Sequence, residues 1–446
     1  MRTKNIRFLI PLIKSFFAVI FIFSFCIYPA FITFKVATSP EFIDPKTSDY
    51  FLHWFNNVSK RFERWSTTYL KDQHALLVSE ANVAATEWPM FGSVFYLLTA
   101  EEIKNQINHH DGLLPRKTMQ RILSDSEKAV QVVADPSTAH WVENKWGKDY
   151  LYRENVFYRM LLIMGLSSYE TITNKETYRN LLANQTNLLA DELLRAPHHL
   201  LDDYPGECWP NDVLWAVAAI RRSDKIIGTD HYLLAEKLMR MLNSEARTRY
   251  GLPAFKINSR TMAVTELSRG CGNSGILIFA PELDIAIAQK WYQDYEKNFY
   301  QKSAFLTGFR EFPFDSPYSF ADVDSGPIIN GYGSVATFFG IGAARAIGRF
   351  DQAIPMTQEL LALSWPTPFG YLIPSLMSWL GTRSWVLGET AMLFSLTRTP
   401  LGKSVTPNTT KTPGIVWMAF IFYTFLGIYA LVKIFLFWKK YSKGKK

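Results

Sequence analysis

Two stretches decide how this chain is laid out: SFFAVIFIFSFCIYPAFITF at residues 15–34 and GIVWMAFIFYTFLGIYALV at residues 414–432. Each is an unbroken apolar run long enough, as a helix, to cross a hydrocarbon core of roughly 30 Å. Basic residues flank both runs on their outer sides. Arg2, Lys4, Arg7 and Lys14 precede the first, and Lys433, Lys439, Lys440, Lys443, Lys445 and Lys446 follow the second. The positive-inside tendency places both termini in the cytoplasm. About 380 residues then lie on the far side of the membrane, periplasmic or extracellular, and any chemistry belongs there.

The first run has a competing reading as a cleaved signal peptide. Its apolar stretch exceeds the usual core of about 7–15 residues, and Pro29-Ala30-Phe31 is a poor small-residue cleavage pattern, so it reads as a retained anchor. Pro29 within it leaves a backbone carbonyl that a neighbour must satisfy.

The formal charge of +8 and pI near 9.1 resemble a nucleic-acid signature until they are located. Removing the ten flanking basic residues leaves the rest of the chain at −2. The basicity marks topology and attracts anionic lipid headgroups, so a nucleic-acid partner is not expected. Three cysteines, Cys26, Cys208 and Cys271, do not make a disulfide scaffold. Cys208 and Cys271 read either as one bridge or as two thiols. No Cys/His spacing reads as zinc, and no metal or other cofactor is expected. Asn184-Gln185-Thr186 is a sequon that matters only in a eukaryotic secretory lumen.

Between the spans, apolar residues recur at helical spacing over 91–107, 152–168, 176–194, 211–220, 232–242, 283–299, 334–349 and 356–363. The helical segments come in pairs, joined by long polar loops. This fits a mostly α protein, either an irregular bundle or, as favoured here, a toroid-like single domain between two terminal transmembrane helices. Its parts are a cytoplasmic N-terminus (1–14), a span (15–34), lead-in helices (35–85), the toroid (86–395), a Pro400, Pro407 and Pro413 linker (396–413), a second span (414–432) and a basic tail (433–446).

Four loops carry the unusual residues. The densest is Asp202-Asp203-Tyr204-Pro205-Gly206-Glu207-Cys208-Trp209-Pro210-Asn211-Asp212, directly before an apolar helix. Asn211 or Asp212 reads either as a helix cap or as a cavity group. A carboxylate beside an indole is partly desolvated, which raises its pKa toward general-acid range, so Glu207 is the candidate acid and Trp209 a sugar platform. The second loop holds Asp322, Asp324 and, beyond Gly326-Pro327, Tyr332. Carboxylates at i and i+2 of an extended stretch point to opposite sides. One would face a cavity and the other brace the loop, and Asp324 is favoured as the inward residue. An EF-hand spacing is absent.

Glu311, next to Arg310, is either a structural ion pair or a further catalytic carboxylate. The loop over 265–275 is glycine-rich but is not a P-loop, because no Gly-Lys-Ser/Thr follows. Tyr152, Glu154 and Asn155 at a helix start are read as polar groups at a cavity rim, with a capped, salt-bridged helix start as the alternative.

Glu154-Asn155-Val156-Phe157-Tyr158 leading into an apolar helix, together with the Glu207-Cys208-Trp209-Pro210-Asn211-Asp212 turn, resembles the linalool dehydratase/isomerase-like domain. The resemblance covers about residues 140–225. It implies an (α/α)6 toroid whose cavity handles a small terpene alcohol with Cys, His, Tyr and acidic groups. The family histidine would fall near Leu161, which cannot transfer a proton, and of the family cysteines only Cys208 has a counterpart. The terpene chemistry is therefore not carried across. The architecture is also similar to that of many glycoside hydrolases, an analogy of fold only.

Three functions follow as expectations. The first is a membrane-tethered enzyme on envelope oligosaccharide, with Glu207 protonating a leaving oxygen and Asp324 activating water or attacking the anomeric carbon. The second is a Cys208-dependent lyase or isomerase on a small hydrophobic alcohol. The third is a non-catalytic glycan- or lipid-binding protein or membrane-complex scaffold, which a cavity plugged by Phe and Leu would favour.

Overall fold

The computed structural model describes residues 2–43, 48–79, 82–108, 116–382, 384, 386–405 and 411–443; for residues 2–10, 107, 108, 116, 117, 381, 382 and 443 it describes the backbone only. Lys445, Lys446 and Pro407, and the side chains of Arg2, Lys4, Arg7 and Lys443, lie outside what is described. In chain order the helices are α1 (Arg2–Ile22), α2 (Tyr28–Thr38), α3 (Asp49–Lys71), α4 (Val83–Asn108), α5 (Arg116–Ala134), α6 (His140–Trp146), α7 (Val156–Thr173), α8 (Arg179–Arg195), α9 (Pro210–Ile227) and α10 (Tyr232–Ser244). They continue with α11 (Gly270–Leu283), α12 (Ile285–Phe299), α13 (Ser334–Ile347), α14 (Phe350–Leu363), α15 (Leu372–Thr382), α16 (Leu387–Thr397) and α17 (Gly414–Lys443). Among the described residues, strands are confined to four short antiparallel hairpins: β1–β2 (Lys256–Ile257, Val264–Glu266), β3–β4 (Tyr300–Lys302, Thr307–Phe309), β5–β6 (Ile328–Ile329, Tyr332–Gly333) and β7–β8 (Pro366–Thr367, Gly370–Tyr371).

The protein is a mostly helical domain flanked by two long apolar helices of membrane-spanning length, Pro11–Thr38 and Gly414–Ser442. Both extend beyond the runs read from sequence. Within the first, the α-helix loosens into a π turn at Phe23–Ile27, upstream of Pro29. Pro29 has no N–H to offer the carbonyl four residues back, and that carbonyl, of Phe25, accepts the Trp365 indole N–H at 3.0 Å. The two terminal helices pack on each other and on α14.

Six helices of the domain, α4, α7, α9, α11, α13 and α16, pack each on the next, and α16 packs back on α4. Contacts along neighbouring pairs run in one direction. Phe91 meets Phe157 and Glu101 meets Ser168 between α4 and α7. Gly275 meets Trp215 and Glu282 meets Arg222 between α11 and α9. Gly270 meets Ala336 and Gly342 meets Ile278 between α11 and α13. The six are therefore parallel, with their N-termini at one end. Helices α5, α8, α10, α12 and α14 return on the outside.

The middle of this ring is filled. Phe95 packs against Trp215, Phe339 and Phe394 at 5.4–6.2 Å between ring centroids, and Phe279 closes on Trp215 at 4.7 Å. Toward the helix C-termini an ion-pair network seals the far end. Arg222 grips Glu282 at 2.7 and 2.8 Å and Glu101 at 3.1 Å, and Arg398 pairs with Glu102 and Glu282. The two arginines hold the Glu282 carboxyl down to about 2 against its burial.

Several elements differ from the sequence reading. Of the glycine-rich 265–275 stretch, residues 265–266 belong to β2, only 267–269 are loop, and from Gly270 it is the start of α11. A Cβ at Gly270 would lie 2.0 Å from the Arg310 carbonyl oxygen, and one at Gly272 2.6 Å from the Phe255 ring. Glycine here permits close packing of a buried helix. The expected 283–299 helix holds from Ile285, and Asp284 caps it by accepting the Ala286 and Ile287 N–H groups at 2.9 Å. Helices α5, α6, α15 and α16 were not anticipated.

Candidate functional site

The turn at residues 202–210 is built by its own carboxylates. Asp202 accepts the Gly206 N–H at 2.8 Å, with Gly206 at φ +81°, and Asp203 accepts the Trp209 N–H at 2.8 Å. The turn ends on Pro210 in the first turn of α9, where a missing N–H costs nothing. Trp209 is the residue at the cap position, and neither Asn211 nor Asp212 caps the helix. Instead the Asn211 amide donates to Asp212 Oδ1 at 2.9 Å, and Asp212 stands at the open N-terminal end of the ring.

Two further carboxyls, Glu87 and Asp324, act electrostatically on Asp212. Burial pushes Asp212 up to about 7, and the charges of Asp324 and Glu87 push in the same direction. Burial also pushes Glu87 up to about 7, aided by Asp324 and opposed by the Tyr204 hydroxyl, which donates to it, and by Lys145. Asp324 is raised by the protein that overhangs it and by Asp322, although its own surface remains open to water. Glu87 and Asp212 are half-buried. Behind Asp212, Asp203 is buried and raised by burial and by Asp212, with one oxygen lacking a partner among the described residues. Lys145 covers the Tyr204 ring at 4.4 Å, and Phe91 and Phe157, both half-buried, stand on the adjoining helices. Carboxyls crowded at partial burial share protons near neutrality, as an acid–base pair requires.

Asp324 is held by a clamp. Arg269 forms two bonds to Asp322, at 2.8 and 3.0 Å, and one to Glu311 at 2.8 Å, and it lies among the rings of Phe255, Phe312 and Phe320 at 4.4–5.4 Å. Asp322 in turn accepts the Asp324 and Ser325 N–H groups at 3.1 and 2.9 Å. Asp322 is thus the loop's brace and Asp324 the residue that reaches the other carboxyls. Glu311 is fully buried; its ion pair is with Arg269, and the expected Arg310 turns to Gln301 instead.

The remaining candidates lie elsewhere. Glu207 faces a cation that also acts on Asp324. It pairs with Lys256 at 3.1 Å in a shallow pocket of about 230 Å³ lined by Gly206, Asn258, Thr265 and Glu266. The same Lys256 ammonium covers Trp209 at 4.6 Å, so that face of the indole is taken. Cys208 and Cys271 are both free and buried. Burial and the surrounding carboxylates raise the Cys208 thiol, and the Cys271 thiol donates to Glu311 at 3.0 Å. Tyr152 is exposed. Glu154 accepts the Asp202 N–H at 2.9 Å and pairs with Arg260. Asn155 is buried at φ +37° and donates to the Tyr150 carbonyl at 3.0 Å. The Tyr332 hydroxyl is spent on the Leu306 carbonyl at 3.0 Å.

Glu87, Tyr204 and Asp203 were missed as site residues. A signal for Glu87 existed: Glu87-Trp88-Pro89, within α4, has the same carboxylate, indole and proline grouping as Glu207-Cys208-Trp209-Pro210. Among the described residues no cluster of His, Cys, Asp and Glu has metal-holding geometry. No family model matches the chain, and no curated protein matches it.

Proposed function

We propose that the protein is a membrane-anchored glycan-active hydrolase, its domain an (α/α)6 toroid on the periplasmic or outer side, with both termini cytoplasmic. The cyclic order of six parallel helices inside five returning ones supports the toroid. The single observation that carries the activity is that the charge of Asp324 acts on both Asp212 and Glu87, and that of Glu87 on Asp212, at the N-terminal end of the ring.

Asp212 is the general acid, because the charges of both other carboxyls favour its protonated form. Asp324, the most water-exposed of the three, is the base. In the reaction Asp212 gives its proton to the glycosidic oxygen as the bond to the anomeric carbon breaks. Asp324 takes a proton from the water that adds to that carbon. Glu87 acts as a positioning residue that keeps the Asp212 proton in place near neutral pH. An acidic bowl suits a neutral or cationic sugar better than a uronic acid.

A lyase or isomerase using Cys208 draws little support, because a buried thiol with a raised pKa supplies little thiolate. A non-catalytic binding role draws on the aromatic packing that fills the ring beneath the carboxyls.

The test is product analysis on a panel of envelope oligosaccharides. Asp212→Asn should lower turnover by about 10²–10⁴-fold, while Glu207→Gln stays within a few-fold of the unaltered protein. Equal turnover by Asp212→Asn, or no product from the unaltered protein, refutes the proposal.

A further inference from the structure

Residues 360–382, between Glu359 and Arg383, include no Asp, Glu, Lys or Arg. They run from the end of α14 through the β7–β8 hairpin into α15. Helix α15 is patterned inside out. Its Ser375 and Ser378 are buried, Ser375 donating to Glu389 at 2.7 Å and Ser378 to the Pro374 carbonyl at 2.7 Å. Its outward residues are Ile373, Leu376, Met377 and Leu380, with Leu380 65 % exposed, and Phe369 at the hairpin tip is 67 % exposed. Water rewards the opposite arrangement.

The place of this segment supplies its partner. Trp365 bonds the carbonyl of Phe25, which lies midway along the 15–34 apolar run, and its ring packs on Tyr423 of α17 at 5.2 Å. Tyr423 donates to the Ala362 carbonyl at 2.9 Å. The segment is therefore fastened alongside the middle of the terminal helices, and the solvent that surrounds those helices surrounds it too. Its backbone is satisfied as a hydrocarbon solvent demands. Leu372 and Ile373 N–H groups go to Trp365 and Ser364 at 3.0 and 3.2 Å, and the Tyr371 N–H goes to Glu389 at 2.9 Å. At eleven residues α15 is too short to cross a bilayer.

We infer that residues 360–382 form a third, non-spanning membrane element, whose α15 face and Phe369 are buried in the leaflet that adjoins the domain. This rests on the terminal helices being membrane spans. Because α14 ends and α16 begins at the N-terminal end of the ring, the element holds the carboxyl-bearing mouth toward the bilayer surface. Substrate would then enter from the headgroup layer.

The test uses the full-length chain in phosphatidylcholine vesicles whose acyl chains carry a nitroxide quencher. Single cysteines at Leu380→Cys and Phe369→Cys are labelled with an environment-sensitive fluorophore; the three native cysteines are buried. Phe425→Cys on α17 is the span control and Arg240→Cys on α10 the aqueous control, both positions being exposed on the protein. Quenching at 380 and 369 comparable to that at 425, and at least about threefold that at 240, is expected. Quenching at 425 without quenching at 380 or 369 overturns this inference alone. No quenching at 425 overturns the span reading with it. Self-quenching between labelled copies, without lipid quenching, would make the face an interface between two chains and equally overturn the inference.

Discussion

Replacing Glu87 with Gln should stabilise the protein, and increasingly so as pH rises. In the folded chain the Glu87 carboxyl is pushed up to about 7 from an ordinary 4.5, chiefly by burial. A group raised on folding contributes its full stability below the unfolded value and loses it as pH climbs through the folded one. At 1.36 kcal/mol per pH unit the loss at pH 8 is about 3 kcal/mol. Gln keeps an oxygen to accept the Tyr204 hydroxyl but carries no charge, so Glu87→Gln recovers that loss. The gain should be about 1 kcal/mol at pH 5 and about 3 kcal/mol at pH 8. With roughly 2.1 cal/mol/K of unfolding entropy per residue, the larger gain raises Tm by roughly 4 °C and the smaller by roughly 1 °C. Thermal unfolding in detergent micelles, followed by tryptophan fluorescence, reads both. An equal shift at the two pH values, or a lower Tm for the variant at pH 8, would refute the claim that the mouth holds a strained acidic group.

Two further substitutions test the scaffold. Glu389 is fully buried and serves Arg61 at 2.7 Å, the Trp54 indole at 2.6 Å, the Tyr371 N–H and Ser375, so Glu389→Ala strands three buried donors and takes an anion from Arg61. It should cost about 3–5 kcal/mol in thermal unfolding, and a cost below about 1 kcal/mol would show that the anchor is unimportant. Gly270→Ala puts a Cβ 2.0 Å from a backbone oxygen that cannot swing away. It should cost about 2–3 kcal/mol and loosen the Arg269 clamp, seen as faster hydrogen exchange around Asp322; unchanged exchange there contradicts the packing argument.

The terminal helices were legible in the sequence because hydrocarbon demands a long apolar run whatever lies beside it. The paired inner and outer helices were legible where one face stays polar, as in α10 and α12. Legibility failed where burial is complete. The start of α11 reads as a glycine loop because close packing selects glycine, and α15 was missed because its apolar residues face outward. Of the candidate carboxyls, Asp324 stood out from loop composition as an inward acid and Asp212 as a cap or cavity group, but which local carboxylate reaches the mouth depends on cross-chain pairs. Lys256 holds Glu207, and Arg269 holds Asp322 and Glu311, whereas Glu87 is far away in sequence and feels Tyr204, Asp324 and Lys145. Nothing in the local spacing announces those long-range partners.

The most direct measurement is an infrared pH titration of the protonated-carboxyl band, taken as the difference between the unaltered protein and Asp212→Asn. A difference band that persists at pH 6 and disappears with a midpoint near 7 is the expected result, since the Asp212 carboxyl is pushed up to about 7 beside Glu87 and Asp324. A difference band gone by about pH 5, in the range of an ordinary solvated aspartate, would mean that the three carboxyls do not form one proton-sharing site.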